Sequence, residues 1–325
     1  MLQVLIDNRN GNVWELPVAS LTYKTVRVGT ASSVEFTFIK GGQYDNDKFV
    51  CNPGDVVRVT LDAIPVFYGY VFTINSGRDE AVTVTVYDQL RYLMMNDVYV
   101  FKNTKASDII KQIASDTGLK TGTIVDTKYA IPRSVADGTK LMDLIAEALS
   151  NTTMATGRLY VFFDNFGELT LIDTADWKME LSLGDQSLVY DYKTSRSIDS
   201  DTYNRIKIVQ EVKDSSGKVT GRDAYIAQDS NHIAKWGLLQ LYQKVDDGLN
   251  VAQINQVLNT LSQLKNRETR SFTLEAIGDI RIRAGCFVFI NIAEAGISQY
   301  FLVDECTHKF EGEEHTMSIT LKVYG

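Results

Sequence analysis

A pattern of strands occurs twice in this chain, once near each end, and it limits the folds that the chain can adopt. Residues 52–88 read as an NPGD turn followed by the runs VVRVTL, VFYGYVFTIN and VTVTVYD. Residues 282–325 repeat that order as IRAG, CFVFINI, QYFLVDECTH and TMSITLKVYG. Self-similarity over a segment of this length indicates an internal structural repeat.

The repeat preserves both spacing and side-chain alternation. Gly54 aligns with Gly285 at an offset of 231 residues, and Val82 aligns with Met317 at an offset of 235, so only the turns change length. With a period of two, the same face of each strand is apolar in both copies: Val57, Val59 and Leu61 match Val288, Ile290 and Ile292, and Val82, Val84 and Val86 match Met317, Ile319 and Leu321. Because register decides which face is buried, the match predicts one β fold used twice. The alternative is that two antiparallel meanders resemble each other by chance.

Composition limits the classes of protein to which the chain can belong. Its 325 residues suggest two or three domains, and a hydrophobic content of 44% allows a substantial core. The net charge of −8 and the absence of a basic tract argue against binding of duplex DNA through its phosphates. Three dispersed cysteines without CxxC spacing indicate a reducing compartment and no disulfide framework. No signal peptide and no apolar run of membrane-spanning length is recognised, so we expect no membrane insertion.

The chain divides into three parts by its hydrophobic period. Residues 1–97 read as seven short strands separated by turn residues, which suggests a small barrel or sandwich. Residues 98–185 change to a helical period and predict a small α+β unit. From residue 186 to 325 the β pattern resumes, with a helix inserted at Val251–Lys265. The predicted fold class is therefore α+β, mainly β, with two similar small β-barrel domains flanking a small α+β domain.

Three helices and one hairpin are predicted. The apolar stripes place helices at Thr104–Gly118, Thr139–Leu149 and Val251–Lys265, the last capped by Asn250 and the first by Thr104 or Ser107. The turn DNFG between two apolar runs predicts a hairpin over 158–172. Residues 231–243 fit a helix and a strand equally well.

One group of side chains could hold a metal ion. Cys306 and His308 lie on one face of a predicted strand, and His315 begins the next strand across an acidic turn that contains Glu311, Glu313 and Glu314. A zinc site needs about four such ligands in tight geometry. The alternative is a core cysteine beside a surface acidic turn, and it is favoured because the aligned positions in the first copy are Ile74 and Ser76.

No arrangement of catalytic residues stands out. Acidic pairs occur at Asp304/Glu305, Asp246/Asp247 and Asp199/Asp201, and Asp88 ends a strand, but nothing selects one pair for glycoside hydrolysis. No Gly-x-Ser-x-Gly nucleophile elbow and no phosphate-binding P-loop occurs. We therefore expect no enzymatic activity, no cofactor and no catalytic or metal-binding residues.

Aromatic residues are concentrated on two predicted strands. Strict alternation would place Tyr68, Tyr70, Phe72 and Ile74 on a common side, and a second set comprises Tyr160, Phe162 and Phe163. Core packing is the favoured interpretation of both sets, and a protein or sugar interface is the alternative.

Four segments carry a resemblance to a known family. They read NTKASDIIKQIASDTGL, GRLYVFFDNFGELTL, YNRIKIVQ and DIRIRAGCFVFI, in that order along the chain. Together with the repeated β pattern they resemble the baseplate hub proteins of contractile phage tails, namely the XkdQ/YqbQ-like and late-control-protein-D-like hubs of phages, defective prophages and tailocins. These motifs are packing and turn patterns that cover nearly the whole chain. The sequence departs from the expected pattern at Cys286, where an acidic residue like Asp55 would follow the turn glycine.

The resemblance implies a specific role. Such hubs carry two tube-like β-barrels in each subunit and form trimers, so that six similar units surround a ring that joins the six-fold tail tube to the three-fold spike. It implies contacts with the tail tube protein, the spike protein and other baseplate or tape-measure proteins. DNA would pass through an acidic lumen without specific binding. A cell-wall-degrading enzyme and a carbohydrate- or receptor-binding tail module are the alternatives.

Overall fold

The computed structural model describes residues 1–41, 48–78, 80–185, 187–199, 201–214, 216, 218–245 and 248–322. It is mainly β, as predicted, with 21 strands and four α-helices in these residues. The first strands are β1 Leu2–Asp7, β2 Val13–Glu15, β3 Val18–Val26, β4 Ser33–Ile39, β5 Val56–Leu61, β6 Ile64–Ser76 and β7 Ala81–Tyr87. A short 3-10 helix, Gln89–Met94, follows them.

The middle of the chain contains β8 Asn96–Lys105, α1 Ala106–Asp116, β9 Thr121–Ile124, β10 Ala130–Lys140, α2 Leu141–Thr156, β11 Tyr160–Asp164, β12 Leu169–Asp173 and, after a second 3-10 helix at Thr174–Asp176, β13 Lys178–Gly184. The remaining elements are β14 Val189–Ser197, β15 Arg205–Lys213, β16 Val219–Gln228, α3 Ser230–Trp236, β17 Gln240–Val245, α4 Val251–Lys265, β18 Thr269–Ile277, β19 Phe287–Ile292, β20 Ile297–Glu311 and β21 Glu314–Lys322.

The first and last parts of the chain share one 13-stranded sheet. Its main path runs β14-β18-β21-β20-β3-β4-β7-β6-β5-β1-β2, and β19 joins β20 to β13 beside this path. The order β3-β4-β7-β6-β5-β1 in the first half thus corresponds to β14-β18-β21-β20-β19-β13 in the second half. The last pair differs, because β1 runs antiparallel to β5 whereas β13 runs parallel to β19. The halves are joined by antiparallel pairing of β3 with β20.

One long strand in each half bends from one neighbour to the next. The first part of β6 pairs with β5 and its second part with β7, while β20 pairs in the same way with β19 and then β21. A register shift accompanies each bend, between Val71 and Thr73 in β6 and between Val303 and Glu305 in β20. These positions are equivalent in the aligned sequences, so both halves bend their long strand at the same place.

The apolar faces predicted from the repeat are buried. Val57, Val59, Val82, Val84 and Val86 belong to one core cluster that also contains Phe36 and Tyr23, and Leu61 packs against it. Their six counterparts in the second half belong to another cluster, together with Leu274, Cys286 and Cys306. Each half of the sheet therefore has its own core, as the matched registers predict, and Phe310 of β20 extends into the core of the first half.

The middle of the chain packs around one core cluster, to which Ala31, Leu90 and Leu93 of the first part also contribute. It contains a β8–β10 ribbon, a three-stranded sheet of order β11-β12-β9, and α1 packed against α2 over a core that includes Ile109, Ile113, Leu144 and Leu171. The predicted hairpin is present as β11 and β12. The predicted side-chain cap of α1 is wrong: the chain enters this helix directly from β8, and the N–H of Ser107 donates to the hydroxyl of Thr127 (3.3 Å).

The insertion in the last part is larger than the predicted helix. Between β14 and β18 the chain forms a three-stranded sheet of order β16-β15-β17, against which α4 packs through Ile254, Leu258 and Leu261. The helix has the predicted bounds, and Asn250 caps it in a capping box with Gln253. The segment 231–243, which fits a helix and a strand equally well by sequence, contains both, since the helix α3 is followed by the strand β17.

Candidate functional site

The turn that opens each repeat is built by the same backbone hydrogen bonds. The N–H of Gly54 donates to the carbonyl of Val71 at 2.8 Å, and the N–H of Gly285 donates to that of Val303 at 2.8 Å. In return, the N–H of Val71 donates to the carbonyl of Asp55, and the N–H of Val303 donates to the carbonyl of Cys286, at 2.9 Å in both copies. The glycines have φ values of +91° and +102°, which residues with a Cβ rarely adopt. Both turns therefore need glycine and hold the following strand in the same way.

The side chain after the glycine differs between the copies for a physical reason. The carboxylate of Asp55 accepts hydrogen bonds from the N–H of Asn52 (2.8 Å) and the amide of Asn8 (2.7 Å). Cys286 instead lies in the apolar core of the second half, with no exposed surface. An uncompensated carboxylate there would be costly, so the departure noted at Cys286 fits its surroundings.

The seam between the two halves, where β3 pairs with β20, is reinforced by side chains. Arg27 on β3 forms an ion pair with Asp304 on β20 at 2.9 Å, and the two side chains are only 10% and 16% exposed. Lys322 contacts the same carboxylate at 2.8 Å. Thr25 accepts a hydrogen bond from the N–H of Ala284 at 3.0 Å. These contacts tie the two halves into one unit.

A buried polar cluster lies where all three parts of the chain meet. Asp88 accepts hydrogen bonds from the N–H groups of Ser32 and Leu90, each at 3.0 Å. Burial, with the charge of Asp164 as a second cause, raises the pKa of Asp88 to about 7. Burial likewise raises the pKa of Asp164 and that of Tyr23, the latter to about 12.

Arg283 contributes a positively charged side chain to this buried polar cluster. Its guanidinium donates to the carbonyl of Asp164 at 3.1 Å and lies 4.4 Å from the ring centre of Phe163, which stacks on Trp177. Arg283 is not among the residues predicted from the sequence to form a site, although it aligns with Asn52 at the opening of the repeated turn. A charged residue at the start of a repeated apolar stretch is the signal that could have revealed it.

The three residues considered as metal ligands, Cys306, His308 and His315, form a hydrogen-bonded chain. Nδ1 of His308 lies 3.0 Å from Nε2 of His315, and Nε2 of His308 lies 2.8 Å from the carbonyl of Ile282 and 3.2 Å from Sγ of Cys306. Both ring nitrogens of His308 therefore have protein partners, and desolvation lowers its pKa to about 4. Within the described ranges, no group of three or more His, Cys, Asp or Glu side chains could hold a metal ion. The acidic turn 311–314 is exposed, which favours the interpretation as a core cysteine beside a surface turn.

The structure separates the other candidates. Asp304 lies at the seam with its neighbour Glu305, which pairs with Lys24 at 3.2 Å, and Asp201 forms an ion pair with Lys265. Asp199 is exposed, and the pair Asp246/Asp247 lies outside the described residues. None of the helices in the described part of the chain is both long and apolar enough to cross a bilayer.

The four residues of β6 that were predicted to share one face do not all share it. Tyr68, Tyr70 and Phe72 are partly exposed and pack edge-to-face or tilted on one another and on Tyr92, at 5.3–5.9 Å between ring centres. Ile74 instead packs against the core of the first half. The prediction of a common side is wrong because the register shift after Val71 reverses the alternation. The second aromatic set, Tyr160, Phe162 and Phe163, is buried.

Comparison with known proteins identifies the family. The family described as YQBQ-like matches residues 21–322 of the chain. The chain is a member of the YQBQ-like family. It is 31% identical over 312 residues to the phage-like element PBSX protein XkdQ of Bacillus subtilis, covering 94% of this chain and 92% of XkdQ. The predicted resemblance to XkdQ/YqbQ-like proteins is thereby confirmed.

Solved structures show the same fold. The 43 kDa tail protein of prophage MuSo2 from Shewanella oneidensis superimposes with a TM-score of 0.70 at 14% identity, covering 98% of each chain. A type VI secretion component of E. coli, described as structurally similar to bacteriophage tail proteins, superimposes with a TM-score of 0.57 at 10% identity. The superposition covers 99% of this chain and 77% of the E. coli chain. This member of the YQBQ-like family therefore has the fold of phage tail proteins.

Proposed function

We propose that this YQBQ-like protein is the structural baseplate hub of a contractile phage tail or phage-tail-like particle. Three copies form a ring with pseudo-six-fold symmetry, which joins the six-fold tail tube to the three-fold spike. The observation that carries the proposal is the repeat within one chain: the strand order, the bent long strand and the glycine turn occur once in each half. Two equivalent units in each of three chains supply six similar positions around a closed ring.

The proposed domains follow from this arrangement. Residues 1–97 form the first tube-like β-barrel, 98–185 the small α+β domain, and 186–325 the second tube-like barrel. Separate cores in the two halves of the sheet support the two barrels. The boundary at residue 185 directly follows β13, whose hydrogen-bonded partner is β19 of the second half. The insertion with α4 belongs to the last domain.

The proposed partners are the tail tube protein, the spike protein and other baseplate or tape-measure proteins. The protein acts in the baseplate of the particle after assembly in the bacterial cytoplasm, without membrane insertion. DNA passes through the lumen without specific binding, because acidic side chains line the lumen and repel the phosphates. The net charge of −8 is consistent with such a lining. A basic lumen in the assembled ring would contradict this part of the proposal.

The role is structural and non-enzymatic, without a cofactor. The alternatives are a cell-wall-degrading or carbohydrate-binding tail protein, and no contact described above favours either. The aromatic rings on β6 pack against one another rather than presenting parallel flat faces, and the acidic candidates lie in separate places. A peptidoglycan zymogram that shows lysis, lost on substitution of a single carboxylate, would support the enzyme instead.

Deletion of the gene in its producing strain tests the proposed role. We expect particles whose tubes lack the spike, or no assembled tails, and recovery when the wild-type chain is supplied in trans. A complementing chain truncated after residue 185 should not restore assembly, because it lacks the second proposed barrel and the strands that pair with β3 and β13. Complete tails carrying a spike in the deletion strain would contradict the hub role.

A further inference from the structure

A basic groove at one end of β21 contrasts with the acidity of the whole chain. It has a volume of about 740 Å³ and is lined by residues of β14, α3, β18 and the end of β21. Among the described residues, five lysine and arginine side chains and two carboxylates line it, on a chain of net charge −8, and one of the five, Lys322, also contacts Asp304 at the seam. The cationic residues are Arg196, Lys235, Arg267, Arg270 and Lys322.

The groove already binds one carboxylate from its own chain. Arg196 and Arg270 face each other across β14 and β18. Glu268 accepts hydrogen bonds from both, at 2.8 and 2.7 Å, while the arginine side chains remain 68% and 60% exposed. Two guanidinium groups that share one carboxylate retain a net positive charge and further donors, which suits additional carboxylates.

An aromatic residue gives the groove the composition of a protein interface. Trp236 lines it, stacks on His232 with 4.0 Å between ring centres, and has Lys235 at 5.8 Å from its own ring centre. Tryptophan and arginine are the residues most enriched at the centres of protein–protein interfaces. A partner with exposed carboxylates on a compact, projecting element fits this surface.

Such an element occurs at the other end of the same strand. The turn between β20 and β21 exposes Glu311, Glu313 and Glu314 around Gly312, whose φ is +61°. None of these three carboxylates forms an ion pair within the part of the chain that the structure describes. Their mutual repulsion would be relieved by a cationic partner.

The turn and the groove cannot meet within one molecule. Glu314 begins β21 and Lys322 ends it. Eight residue steps at about 3.3 Å per residue separate them by roughly 26 Å. We propose that the acidic turn 311–314 of one copy docks into the Arg196/Arg270/Trp236 groove of a second copy of this chain. The contact is heterologous, using different surfaces on the two copies, and closes into a ring when the rotation between copies allows; its closure at three copies rests on the proposed hub function.

Zero-length cross-linking with a carbodiimide tests the contact, because it joins a carboxylate to an amine only when they touch. We mix unlabelled chain with ¹⁵N-labelled chain at the highest soluble concentration and analyse the linked peptides. The expected result is a set of mixed-isotope links from the turn 311–314 to Lys235 or Lys322. Absence of such mixed links at every concentration would overturn the proposal.

Charge reversal makes the test specific. Reversing the groove (Arg196→Glu with Arg270→Glu) leaves every reacting carboxylate and amine in place and should reduce the mixed links at least tenfold. Adding the reversal of the turn (Glu311→Lys with Glu313→Lys) to the groove variant should produce mixed links of opposite polarity, from the introduced lysines of the turn to the introduced glutamates of the groove. Reversing Lys102 and Lys111 (Lys102→Glu with Lys111→Glu), which are exposed in the middle of the chain, changes the net charge as much as the groove reversal does and should have no effect. Equal loss in this control, or no links of opposite polarity in the combined variant, would refute the docking.

Native mass measurement separates this proposal from the hub function. If the groove variant still forms an assembly of three copies, this result would contradict the docking and leave the trimeric ring intact. Cross-links that follow the charge reversals, in an assembly with a copy number other than three, would support the docking and contradict the trimeric ring.

Discussion

Substitution of the two turn glycines by alanine provides a quantitative test of the repeat. Both have positive φ values and donate the same hydrogen bond, so each Gly→Ala change carries the same backbone strain. That strain costs about 1–2 kcal/mol. A Cβ on Gly54 meets no atom within 4 Å, whereas a Cβ on Gly285 would lie 2.6 Å from Val161 and 3.2 Å from Trp177. Crowding of this kind costs about 1–3 kcal/mol more.

We therefore expect Gly54→Ala to lower the free energy of unfolding by about 1–2 kcal/mol and Gly285→Ala by about 2–5 kcal/mol. Urea unfolding, followed by circular dichroism and by tryptophan fluorescence, measures both changes on the same chain. Trp177 lies beside the second site and should report its repacking. A Gly54→Ala change without cost would refute the strained turn, and equal costs at the two sites would refute the crowding at Gly285.

Three further predictions concern buried charges. The raised pKa of Asp88 means that its contribution to stability is present at low pH and is lost as the pH rises from its usual value of 3.8 through about 7. Asp88→Asn should remove a decline on the order of 4 kcal/mol from the urea stability profile, and an unchanged profile would contradict it. The lowered pKa of His308 has the opposite consequence: stability is full above pH 6.5 and is lost as the pH falls towards 4. His308→Gln should therefore flatten the acid side of the profile, and equal acid sensitivity in both proteins would count against this. At the seam, Arg27→Met should cost about 1–3 kcal/mol because it leaves a largely buried carboxylate with fewer donors, whereas Lys24→Met at an exposed pair should cost at most about 1 kcal/mol in the same assay; the reverse order would contradict the role of the seam.

The fold was predictable where the pattern is periodic and local. The alternation of Val82, Val84 and Val86 identified the buried face of β7, and the stripe of α4 with Asn250 as its cap gave that helix its observed bounds. Prediction failed where a backbone irregularity intervenes. The register shift after Val71 moved Ile74 to the core face, and no periodic template contains such a shift.

The polar junction was harder to foresee, because its members come from distant parts of the chain. Asp88, Asp164 and Arg283 become neighbours only after the three parts have packed. Asp88 lies at the end of a predicted strand, but its burial follows from tertiary contacts that sequence periodicity does not report. Likewise, the strand pairing between β3 and β20 joins residues more than 270 positions apart along the chain, and no local pattern marks it.

In the proposed hub, one chain supplies two equivalent units to a three-fold ring. A cryo-electron microscopy map of the hub layer in the assembled particle, reconstructed without imposed symmetry, shows whether this is so. We expect three copies of the chain, with β4, β7 and β6 of each first half alternating around the ring with β18, β21 and β20 of each second half. Six copies that each place only one half on the ring, or a ring in which the two halves occupy dissimilar positions, would contradict it.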